Sequence, residues 1–231
     1  MASGATFQDF FTRTMGEFGS VPKRGLIYAA TAGALSAAAD LAHWSLGPTP
    51  TDIDYAAFAF VICVWLVAGY ATTMAMIDKP FSSGGFLRFT GMTIATFVPI
   101  FSGLAMLVYA SRENANVLLT FALAVLIFGV LVIAFLPAWP IAQGLSRVFV
   151  NPARVVKATR GYRWSLVLVF FAASSVNKLV PNMSSASNVG EAALLAIAGA
   201  VVSAATLVLT ASIAVTAWKF ATQRDPSLAF G

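Results

Sequence analysis

A chain of 231 residues with 59% hydrophobic and 10% charged side chains has too little polar surface to cover a water-soluble core, since an ordinary soluble domain carries about 25% charged residues. Its mean hydropathy of +0.83 instead fits a chain solvated by lipid, in which stretches of about 20 apolar residues cross a hydrocarbon layer of roughly 30 Å. The net charge of +5 sits in short loops between apolar runs, so topology and lipid headgroups account for it without nucleic acid, and the lone Cys63 and lone His43 exclude an internal disulfide, a Cys-based metal site and a bis-His haem built from this chain alone.

Ahead of the first apolar run, Phe7, Phe10, Phe11, Met15 and Phe18 recur at three- and four-residue steps, with Gln8, Asp9, Arg13 and Glu17 between them. This spacing predicts an amphipathic helix with one aromatic face, suited to the headgroup region beneath a membrane domain. The first strongly apolar run begins at Leu26 and continues for a full span, so the segment before it is expected to be retained and not cleaved as a secretory signal. Six spans are predicted, at 26–46, 55–77, 89–110, 117–142, 164–180 and 192–218. The expected fold is all-α, a polytopic transmembrane helical bundle, with an interfacial helix in 1–24, the membrane domain in 25–219 and a cytoplasmic tail in 220–231.

Span one carries Ala29, Gly33 and Ala37, and span six carries Ala196, Gly199, Ala200, Ser203 and Ala204. Small residues at every fourth position let backbones approach closely, which places both helices inside the bundle or at a dimer seam. Pro99 in span three and Pro137 and Pro140 in span four remove backbone donors, and both helices are expected to bend. Between spans four and five, Asn151 is placed to cap a helix beginning at Pro152 and Gly161 to end it. A helix over 152–160, inside a basic segment 151–163, turns Arg154, Lys157 and Arg160 toward phosphates, with Arg163 just beyond, while Val155, Val156 and Tyr162 stay near the acyl boundary. Two uses of these charges stand open: contact with anionic lipid or a partner, or enforcement of topology alone.

Positively charged loops stay on the cytoplasmic side. Twelve of the 14 lysines and arginines fall on one side of the predicted spans, and only Arg112 and Lys178 on the other. With an even number of spans, both termini are expected in the cytoplasm. Ionisable residues inside spans are costly enough to count as functional candidates. Asp40 and Lys178 each lie about 21 Å from the inner boundary at 1.5 Å per residue, so the two charges fall at one depth, with His43 one turn farther out and Asn177 beside the lysine. They either pair across spans one and five, line a polar cavity for transport or proton relay, or reach separately to the outer headgroups.

No Walker-type glycine loop, H-E-x-x-H, G-x-S-x-G or histidine cluster occurs, so no catalytic, cofactor-binding or metal-ligating residue is assigned and enzyme chemistry is not expected. The run Leu136-Pro137-Ala138-Trp139-Pro140-Ile141-Ala142, then Asn151-Pro152-Ala153-Arg154 and Thr159-Arg160-Gly161-Tyr162-Arg163-Trp164, behind an aromatic amphipathic helix, resembles the YciC-like membrane family. It is similar as well to the membrane part of some bacterial glycerophosphoryl diester phosphodiesterases. The resemblance implies a place in the bacterial cytoplasmic (inner) membrane and no enzymatic activity. The function expected is that of a non-enzymatic inner-membrane protein that organises anionic lipid or a protein partner through a basic cytoplasmic face, anchored by Phe7, Phe10 and Phe11. Two alternatives stand beside it: an accessory subunit of a larger respiratory or photosynthetic membrane complex or a homo-oligomer, and a small transporter or channel built on Asp40 and Lys178.

Overall fold

The computed structural model describes residues 6–46, 52–113, 115–176 and 185–229, and among these there is no strand. The chain forms α1 (Phe7–Gly19), α2 (Lys23–Leu46), α3 (Asp52–Met76), α4 (Ser83–Arg112), α5 (Asn116–Phe135), α6 (Ala138–Leu145), α7 (Pro152–Ala158), α8 (Arg163–Val176) and α9 (Val189–Arg224), with a short 3₁₀ turn at Pro226–Leu228. Five of these, α2, α3, α4, α5 and α9, are long and apolar enough to cross a membrane. The predicted fourth span does not run through to residue 142: α5 stops at Phe135 and a separate helix, α6, starts after Pro137. Proline has no N–H to continue the ladder and restricts the residue before it, so Leu136-Pro137 is a natural break. Pro99, by contrast, sits inside an uninterrupted α4.

Two compact units divide the chain, one from Met1–Phe10, Ser82–Leu168 and Thr216–Gly231, the other from Phe11–Phe81 and Val169–Val215. In the first, α4 packs along α5 and against α6. The contact between α4 and α5 runs through two glycines. A Cβ on Gly103 would lie 2.7 Å from the Leu126 side chain, and one on Gly129 would lie 2.8 Å from the backbone nitrogen of Ile100. Helix α6 is buried from Ala138 to Gly144. It is tied down by Arg88, which donates to the carbonyls of Gln143 and Gly144 at 3.3 Å each and so satisfies groups left open at the helix end. The buried Gln143 amide then straps the following loop, donating to the Val148 carbonyl and accepting from the Val150 N–H.

In the second unit, α2 pairs with α3, and Ala29, Ala32 and Ala68 form a core with Leu207 and Val208 of α9. Here the small-residue stripe performs as its spacing predicts, because Gly33 lies directly against the backbone of Ala200 and the methyl of Ala204. Trp65 donates from Nε1 to the Ser36 hydroxyl at 2.8 Å, and the Thr72 hydroxyl donates to the Gly25 carbonyl at 3.3 Å. Helix α3 ends with Asp78 in the left-handed region, φ 53°. The Lys79 N–H returns to the Met74 carbonyl and the Asp78 N–H to Ala75, a paired closure of the last turn. Arg24 Nη2 meets the Asp78 carboxylate at 2.7 Å.

Burial runs opposite to that of a soluble helix. Helix α4 buries Gly85, Thr96, Gly103 and Ala110 and leaves Ile94, Phe97, Val98, Phe101 and Val108 exposed. Helix α5 buries Ala122, Gly129, Ile133 and Ala134 and exposes Phe121, Ile127 and Phe128. Small residues inside and large apolar ones outside is the arrangement that lipid solvation permits and water penalises.

Adding one methyl distinguishes the tight glycines from a loose one. Gly33→Ala and Gly129→Ala each force a methyl into backbone and are expected to lower stability by about 1–3 kcal/mol. Gly199→Ala, with no atom within 4 Å of its Cβ position, is expected to be neutral or stabilising by up to about 1 kcal/mol. Thermal unfolding of the three variants in one detergent checks the ordering.

Candidate functional site

Of the predicted intramembrane cluster, Asp40 and His43 occupy the last two turns of α2, both exposed. Asn177 and Lys178 lie outside the described residues, so the pairing of Asp40 with Lys178 is not placed by the structure. Among the described residues no group of His, Cys, Asp and Glu gathers to hold a metal ion. A cavity of about 470 Å³ does open beside α2 and α3, but its lining does not include Asp40 or His43.

The basic segment is placed in full. Asn151 accepts from the Ala153 N–H at 2.9 Å, Pro152 supplies the first helical position, and α7 runs to Ala158. Val155 and Ala158 face inward, while Arg154, Lys157 and Arg160 face outward. The helix ends two residues before the predicted Arg160, in a turn held by Thr159.

Gly161 has a role other than the expected helix stop. The Arg224 guanidinium occupies the space that a Cβ there would fill. From that position Arg224 donates to the Ala158 carbonyl at 3.3 Å and lies 5.9 Å from the centre of the Tyr162 ring. Arg163 donates from Nε to the Val156 carbonyl at 3.2 Å, and its Nη2 donates to the same oxygen. Two guanidinium groups thus cover open carbonyls at the end of α7, where the helix dipole favours positive charge.

An aromatic triad holds this region together. Tyr162 stacks on Phe10 at 5.6 Å and approaches Phe220 at 5.0 Å, and Phe10 lies 5.9 Å from Phe220. The Tyr162 hydroxyl donates to the Ala217 carbonyl at 2.8 Å. Burial keeps this phenol well above its usual pKa, against a smaller opposing pull from Arg224, so it remains a donor. Phe10 is 0% exposed and is therefore a docking ring. Phe7, Phe11 and Met15 are the large apolar α1 residues with exposed surface. Sequence periodicity put all of these rings on one face, because spacing alone does not reveal which ring finds partners.

The cations consequently divide into two groups. Arg154 donates to both Asp225 oxygens, at 2.9 and 3.1 Å, and to the Ser227 hydroxyl, which fastens the chain beyond α9. Together with Arg88, Arg163 and Arg224 it is engaged within the protein. Arg147, Lys157 and Arg160 are exposed and make no side-chain bond to a described residue. Exposed apolar residues stand among them: Val148, Phe149 and Trp164.

Comparison with models of protein families, with curated proteins and with solved structures finds no match. Fold and composition nevertheless define the class: the chain is a multi-pass α-helical membrane protein.

Asp225 gives the site an acid-side signature. The Ser227 hydroxyl, and after it Arg154, hold this carboxyl below the usual carboxylate range. A depressed folded pKa contributes stability in full above the unfolded value, near 3.9, and loses it as pH falls through the lower folded value. Protection of the Leu228 amide in hydrogen exchange should therefore persist at pH 5 and fall below about pH 4, whereas Asp225→Asn should show reduced protection at both. For the triad, Tyr162→Phe should lower stability by about 1 kcal/mol, the worth of one hydrogen bond, with unfolding followed by thermal denaturation in detergent.

Proposed function

We infer that this chain is a non-enzymatic six-span protein of the bacterial cytoplasmic membrane, with both termini in the cytoplasm, whose basic inner face gathers anionic lipid headgroups. In this reading α8, at the predicted fifth span, is the crossing that brings the number to six, and the one-sided distribution of lysine and arginine sets the orientation. The observation that carries the lipid role is the division among the cations. Four guanidiniums are engaged in holding the fold, yet Arg147, Lys157 and Arg160 stay outward beside exposed Val148, Phe149 and Trp164. Cations interleaved with apolar anchors are the pattern of a segment that rests on a membrane surface. Charges serving topology alone would need no such neighbours.

Each basic residue near an anionic surface is worth about 1 kcal/mol. Arg147→Gln, Lys157→Gln and Arg160→Gln combined should therefore weaken retention of phosphatidylglycerol on the order of a hundredfold, read by native mass spectrometry after detergent-free extraction. Retention equal to that of the unaltered chain would defeat the proposal. A stoichiometric protein partner recovered without anionic lipid would favour the accessory-subunit reading instead.

A further inference from the structure

The cavity beside α2 and α3 has the shape and the charge of a lipid site. Its walls are two stripes at helical spacing, Tyr28, Thr31 and Leu35 on α2 and Phe60, Cys63 and Val67 on α3. Its floor is made of small residues, Ala32, Ala68 and Ala71, all buried. Alanine between larger neighbours leaves a trough where larger side chains would have closed the surface. Phe81 lines one end, its ring in edge-on contact with Tyr70 at 5.1 Å. The volume, about 470 Å³, falls within the roughly 300–1,000 Å³ of small-molecule sites.

At the Phe81 end the trough adjoins a second, smaller hollow that shares Tyr28, Ala71 and Phe81 and adds Arg24 and Lys79. Lys79 is exposed and makes no side-chain bond to a described residue. Arg24 commits only Nη2, to Asp78 and the Ala75 carbonyl, and the Asp78 side chain is 96% exposed. An exposed pair of this kind is weak and easily shared with an incoming anion. Lys23, also exposed, stands next to Arg24 in the chain, so this end carries more positive than negative charge. From Arg24 to Leu35 along α2, eleven residues rise about 16 Å, close to half of a hydrocarbon layer of roughly 30 Å. The trough thus runs one leaflet deep from a cationic mouth.

We propose that the trough between α2 and α3 binds one anionic phospholipid, with an acyl chain along Tyr28, Leu35, Phe60 and Val67 and the phosphate between Arg24 and Lys79. Charge complementarity selects the occupant: an apolar partner helix would fill the trough but leave the cationic mouth unanswered. The site requires α2 and α3 to be membrane helices and is independent of the α7 segment.

Cys63, the sole cysteine, lines the trough and is exposed, which provides a built-in reporter. The full chain is placed in nanodiscs of phosphatidylcholine alone or mixed with phosphatidylglycerol, and Cys63 is labelled with a membrane-permeant maleimide. Native mass spectrometry counts the phosphatidylglycerol retained. Phosphatidylglycerol should slow labelling at least fivefold, and Lys79→Glu should abolish that slowing and cut retention at this site tenfold or more. Val67→Trp, which fills the trough from an exposed wall, should remove the retained lipid, whereas Val67→Ala, which widens it, should keep it. The combined glutamine variant at Arg147, Lys157 and Arg160 should leave Cys63 protection unchanged. Labelling at one rate in both membranes, or protection that survives both Lys79→Glu and Val67→Trp, would overturn the proposal. Loss of protection in the glutamine variant alone would overturn it too and assign lipid capture to α7.

Discussion

Hydrocarbon offers a polypeptide no water, so each helix that enters it must satisfy its own backbone and then find neighbours without a hydrophobic drive between them. In this protein the neighbours meet through glycine. Gly33 admits the Ala200 backbone, and Gly103 and Gly129 bring α4 and α5 together from both sides. Close backbone approach multiplies dispersion contacts that are individually small. Because glycine and alanine hold the close approaches at these seams, many large side chains face outward, and the exposed phenylalanines of α4 and α5 are a consequence of the same constraint.

Arginine does a different job where the chain leaves the apolar helices. Helix ends expose carbonyls, and two of these ends are answered by three guanidinium groups: Arg88 at α6, Arg163 and Arg224 at α7. The planar fork and permanent charge of arginine suit it to several carbonyls at once. Positive charge in these loops therefore serves architecture. Arg147, Lys157, Arg160 and Lys79, by contrast, are exposed and make no side-chain bond to a described residue.

Periodicity and composition made the all-helical membrane class legible, and local chemistry made the Asn151-Pro152 start of α7 legible, because a cap is a property of adjacent residues. The close approach at Gly33 was legible from its stripe of small neighbours. Gly103 and Gly129 were not, since each stands alone among large residues and acquires meaning only when Leu126 and Ile100 face it. The same holds for Gly161, whose need for glycine comes from Arg224, some sixty residues on in the chain. The burial of Phe10 depends on rings at Tyr162 and Phe220. The trough is the product of which α2 stripe meets which α3 stripe, and no single segment encodes it.

Lipid solvation of the outward aromatic and aliphatic side chains is the claim on which all of this rests. Spin labels placed singly at Phe101→Cys, Ile127→Cys and Ala122→Cys in a Cys63→Ala background, in lipid nanodiscs, test it by collision with oxygen, which partitions into hydrocarbon, and with a nickel chelate, which stays in water. The account predicts strong oxygen relaxation and no chelate relaxation at the exposed positions 101 and 127, and neither at buried 122. Chelate relaxation at 101 or 127 would place those faces in water and contradict it.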